Sequence, residues 1–113
     1  MSFDIIILKP VEVSITDLAE AEEITPLGST DVVSEKFSAI FPGCLEGGFV
    51  SGENYSLELT LSGEPVESAH LTLHFGPFWG NQAEALFEQQ LTSICSSTGW
   101  VAFAVSDNSR MAP

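Results

Sequence analysis

Positions 37–109 contain neither lysine nor arginine, and the whole sequence holds only 3 such residues against 16 aspartates and glutamates. Glu46, Glu53, Glu58, Glu64, Glu67, Glu84, Glu88 and Asp107 all fall in that window, so the surface at neutral pH is almost uniformly negative. Such a surface repels nucleic acid and anionic membranes and has few cations with which to hold a phosphate or carboxylate substrate. It attracts basic partners at long range.

Cysteine is also scarce. Cys44 and Cys95 have no neighbour that would complete a Cys-x-x-Cys redox or zinc pair, so both are expected as thiols in a reducing compartment. Cys95 is expected to pack as a small hydrophobe, with a disulfide between the two as the alternative. Long apolar runs are missing as well. In Met1–Pro10 the apolar run extends only from Ile5 to Leu8 with no cationic segment before it, so neither a signal peptide nor a membrane span is expected. The expected location is the cytoplasm.

The motifs of common chemistries are absent too. There is no glycine-rich phosphate loop with its lysine, no nucleophile elbow and no calcium-loop spacing of acids. Ser106, Asp107 and Asn108 match one element of the penicillin-binding enzymes by chance, since the Ser-x-x-Lys partner is lacking. Neighbouring carboxylates such as Glu22 and Glu23 read as solvated charge. No cofactor or metal is implied.

What the sequence does have is apolar content. Hydrophobic residues make up 44% of 113, with 8 phenylalanines, which is too apolar for the disorder that a net charge of −13 would otherwise favour. A chain of this length buries about two thirds of its unfolded surface, so one domain over residues 1–113 is expected, with 106–113 a polar, flexible tail. The charge is then carried on a folded surface, and added salt is expected to stabilise it by screening self-repulsion.

Phe3 to Lys9 is nearly continuous apolar sequence and reads as a central strand buried on both faces. Ser14 or Thr16 is expected to cap a short acidic helix through Glu23, with Ile15, Leu18 and Ala19 inward. Ser29 or Thr30 opens a second helix, with Val33, Phe37, Ile40 and Phe41 at i, i+4, i+7 and i+8, which Pro42 and Gly43 end. Gly47 to Ser51 reads weakly as a short strand. Tyr55–Ser62 and Ser68–Phe75 alternate apolar and polar residues and form a hairpin in which Tyr55 faces Phe75, Leu57 faces Leu73, Leu59 faces Leu71 and Leu61 faces Ala69. Asn81 and Glu84 resemble a capping box that begins a helix closed by Gly99. Trp100 to Val105 alternates into a last strand. The order predicts an α+β fold: a two-layer antiparallel sheet with helices on one face, in the split βαβ, ferredoxin-like arrangement with an extra N-terminal helix.

Three places can carry function. His70 and His74 share the polar face of one strand, about 13 Å apart, too far to grip one metal ion together. Glu58 lies opposite Thr72 and diagonal to both, so Glu58, His70 and His74 form a candidate acid–base cluster against the plainer reading of an exposed polar face. Second, Ile6 and Leu8, with Trp100, Ala102 and Ala104 of the last strand on the face opposite Val101, Phe103 and Val105, imply an apolar patch beside the histidines, which a homodimer packed sheet to sheet or a docked protein would cover. Alternatively, Met111, the C-terminal residues or the helix before Ser29 fold over it. Third, Gly76–Gly80 is a turn bearing Phe78 and Trp79, which serve either as interface anchors or as pins of the turn onto the core.

The leading expectation is a non-catalytic acidic domain that binds a basic protein, in the manner of an inhibitor or immunity-type protein. Glu46, Glu53, Glu58, Phe78, Trp79 and Trp100 are its candidate contacts. The alternatives are a small dimeric enzyme that uses the open sheet face with His70 or His74 as acid or base, and a regulatory module that self-associates through its sheet.

Overall fold

The apolar run at the start forms β1 (Ser2–Pro10) in the computed structural model, which describes residues 2–12, 14–42, 49–51 and 55–112. Being apolar on both sides, β1 takes the interior position of the sheet. After it come β2 (Ile24–Thr25), α1 (Thr30–Ile40), β3 (Phe49–Ser51), β4 (Tyr55–Ser62), β5 (Ser68–Phe75), α2 (Asn81–Thr98), β6 (Val101–Ala104) and β7 (Arg110–Ala112). Six strands make one antiparallel sheet in the order β3-β4-β5-β1-β6-β7, and β2 pairs with the end of β1. The fold is α+β.

The β4–β5 hairpin has the register that its alternation predicts, from Tyr55 opposite Phe75 to Ser62 opposite Ser68. Gly63 opens its loop with φ of 92°, and a Cβ there would come within 2.9 Å of the Pro65 carbonyl oxygen, so the position requires glycine. Ser29 caps α1 by accepting a hydrogen bond from Val32 N. Gly99, left-handed at φ of 80°, caps the end of α2. The start of α2 differs from expectation: Gly80 is the N-cap and makes no side-chain cap, and Asn81 is already helical.

Both helices lie on one face. Val33 and Phe37 of α1, with Phe87, Leu91, Ile94 and Cys95 of α2, join Ile5, Ile7, Leu57, Leu71 and Ala102 in the main core. Phe37 stacks on Trp100, centroids 5.4 Å apart, and Tyr55 meets Phe87 edge-on at 5.7 Å. Contacts of this geometry add about 0.5–1.5 kcal/mol beyond area burial.

Two expectations are corrected. The extra N-terminal helix is not formed: Leu18–Glu20 is a single 3-10 turn, with Asp17 and Glu20 in a reciprocal capping box. Long-range backbone bonds hold this segment instead. Val11 N donates to Glu23 O, Leu18 N to Asn108 O and Arg110 N to Thr16 O, which draws residues 14–23 across the second sheet face as a strap. Likewise residues 106–112 are not a fraying tail, because β7 pairs with β6 and Ala112 is 4% exposed. Of the weakly read strand at 47–51, β3 supplies Phe49–Ser51; Gly47 and Gly48 lie outside the described residues.

Candidate functional site

The strap divides the second face of the sheet. At one end Leu8, Val101 and Phe103 are buried, with Ile6 partly so, under Ile15, Leu18 and Ala21. The apolar surface that argued for a sheet-to-sheet partner is therefore covered by residues of the same chain. The part facing β4 and β5 is polar. Asp4, Thr72 and Glu58 stand in one rung across β1, β5 and β4, and His70 and His74 flank Thr72 on the same face.

Each histidine turns toward a different carboxylate. His74 Nε2 lies 3.0 Å from Glu58 Oε2, and His70 Nε2 lies 3.2 Å from Asp4 Oδ1, which also accepts a hydrogen bond from Thr72 Oγ1 at 3.4 Å. Diagonal neighbours on antiparallel strands come close enough for such pairing, and the two pairings draw the rings toward opposite strands. Glu58 thus joins His74 as its diagonal position implies. Asp4 is the member that sequence reading missed. Its signal was present: it is the one acid in Phe3–Lys9, in phase with Ile6 and Leu8 on that strand's outward face. All four side chains are roughly half exposed. Ion pairs this solvated contribute about 0–1 kcal/mol and do not form a desolvated acid–base pair. Among the described residues no group of three or more histidine, cysteine, aspartate or glutamate side chains could hold a metal ion.

The aromatic turn separates into two roles. Trp79 is pinned, with its ring edge-on to Tyr55 at 5.6 Å and against Phe75 at 5.1 Å. Phe78 points away and is 67% exposed, with Leu86 at 47% beside it where α2 begins. Trp100, a candidate contact from the sequence, is 2% exposed and stacked on Phe37, so it packs the core and has no open surface to offer. Ala102, expected on the histidine face, is instead buried on the helix side opposite Ile7. Glu46 and Glu53 lie outside the described residues.

Two cavities flank these features. One of about 530 Å³ lies within the curve of the strap, lined by Pro10, Ile15 and Ala21 together with Glu12, Glu20 and Glu23. Hydrogen bonds from the Ser14 hydroxyl and backbone hold the Glu12 carboxyl below the usual carboxylate range. The other, of about 320 Å³, opens between the helix side of the sheet, α2 and the β6–β7 connection. Neither histidine lines either one. Cys95 is buried in the core, which pushes its thiol up to about 12, with Arg110 acting the other way, so it is no nucleophile near neutral pH. No helix among the described residues is long and apolar enough to cross a membrane. Comparison with protein-family models, with curated proteins and with solved structures finds no match for this chain.

Proposed function

We propose that the protein is a non-catalytic, acidic binding domain of the cytoplasm, of the inhibitor or immunity type, which captures a basic protein. The observation that carries this reading is Phe78, an aromatic side chain 67% exposed on a turn that Trp79 fixes to the core. A rigid support with an exposed aromatic tip supplies contact area at small cost in side-chain entropy. The sequence carries a net charge of −13, so opposite charge steers a basic partner and apolar contact at Phe78 and Leu86 slows its release.

The same reading extends to the fold family. The four long strands lie in the order β4-β5-β1-β6, with α1 between β1 and β4 in sequence, α2 between β5 and β6, and both helices on one face. That order supports a split βαβ, ferredoxin-like unit extended at its edges by β3 and β7.

Affinity capture from native lysate at low and moderate salt, with wild type and Phe78→Ala in parallel, tests the function. The expected result is one basic protein that survives moderate salt, binds more slowly as salt rises and is held at least about tenfold less tightly by the variant. Equal retention by the variant, or only salt-labile mixtures of basic proteins, overturns it.

A further inference from the structure

The 320 Å³ cavity has walls of one chemistry and a rim of another. Phe3, Phe75 and Trp79, all partly exposed, and the buried Phe87 present ring surface to it. Glu84, Glu88 and Asp107 stand around them as exposed carboxylates. Among its lining residues there is no cation.

Resting on the reading above, we propose that this pocket receives an arginine side chain of the basic partner, its guanidinium lying against the aromatic walls within reach of Glu84, Glu88 and Asp107. Aromatic faces attract cations, and guanidinium, planar and weakly hydrated, both stacks on rings and forks onto carboxylates. An apolar stem with a charged tip matches a cavity whose wall is apolar and whose rim is anionic.

The rim is set for this role. Glu84 and Glu88 are spaced i, i+4 on α2, where like charges repel. The helix dipole favours Glu84 in the first turn but fades before Glu88. Among the described residues neither side chain makes a hydrogen bond or ion pair. Asp107 is oriented instead: its Oδ1 accepts from Ser109 Oγ at 2.7 Å and Ser109 N at 3.1 Å, which holds its carboxyl below the ordinary range and keeps it ionised in weak acid. A second copy of this chain would be a poor donor, with only Lys9, Lys36 and Arg110 to offer.

The test titrates the full chain with N-acetyl-arginine methylamide, followed by ¹H–¹⁵N NMR. The neutral citrulline analogue and the lysine analogue serve as comparisons. The expected result is saturable shifts at the Trp79 indole N–H and at the amides of residues 84–88 and 106–109, with a dissociation constant in the millimolar range. Binding should weaken at least about threefold in Glu84→Gln/Glu88→Gln, whose exposed positions leave the fold intact. Absence of saturation, equal binding of citrulline, or an unchanged affinity in the double variant overturns the proposal, and tighter binding of lysine overturns the choice of arginine. If a captured partner needs Phe78 but tolerates the double variant, the pocket proposal fails while the partner reading stands. If the arginine analogue binds and no partner is captured, the reverse holds.

Discussion

On the helix side of the sheet, Ile5, Ile7, Leu57, Leu71 and Ala102 meet Phe37, Phe87, Leu91 and Ile94, all 2% exposed or less. On the other side, Leu8, Val101 and Phe103 are buried because residues 15–21 lie over them, while the strands beside them carry Asp4, Glu58, His70 and His74 in solvent. The same strands therefore meet two kinds of cover. One is a layer of two helices whose apolar faces repeat every turn; the other is an irregular segment that buries Ile15 fully and Leu18 and Ala21 in part, and is held mainly by backbone hydrogen bonds. Regular cover is legible in hydrophobic periodicity and costly to disturb, whereas strap cover is neither.

The largest test of that contrast is Phe37→Ala, which removes the ring stacked on Trp100 and leaves a cavity in the main core. It is expected to cost about 3–5 kcal/mol in urea unfolding. Ile15→Ala is expected to cost about 2 kcal/mol, at the low end for such truncations because the strap can settle into the space. Amide exchange should then accelerate at residues 16–21 while β4 and β5 keep their protection. A cost equal to that of Phe37→Ala would erase the distinction between the two covers. The smallest effect belongs to the open part of the second face: a double-mutant cycle on His74→Ala and Glu58→Ala should yield a coupling of about 0.5 kcal/mol or less at pH 7. A coupling several times larger would mean that the polar face is an organised site.

How much of this the sequence announced follows the same division. The β4–β5 hairpin was readable rung by rung because Tyr55, Leu57, Leu59 and Leu61 alternate against Ala69, Leu71, Leu73 and Phe75, and a one-residue slip would have turned them outward. Phase failed where a strand is apolar on both sides. β1 is marked only by Asp4 and the last strand by no polar residue at all, so the last strand was phased without a reference, and Trp100 and Ala102 were assigned to the open face that Val101 and Phe103 in fact occupy. Cover by the segment before Ser29 was one of the alternatives the sequence offered, but the strap's irregular path, β2 and β7 were not readable, because Leu18 N to Asn108 O and Arg110 N to Thr16 O join residues about ninety positions apart through main-chain atoms, which leave no pattern in side-chain type. For the candidate site, Phe78 and Trp79 were marked by their place on a turn, but only packing separates the exposed ring from the pinned one.

Those long-range bonds also set an order of events as the chain emerges from a ribosome. The hairpin, the helices and most of the sheet can assemble once the residues through β6 are available, but Arg110, whose Nη1 donates to Ile15 O at 2.7 Å, emerges only after β6. Until it does, the strap lacks its clasp and Leu8, Val101 and Phe103 stand uncovered. The nascent protein therefore passes through an interval with a half-dressed sheet, sticky on one side, whose closing waits for residues 106–112, made after β6.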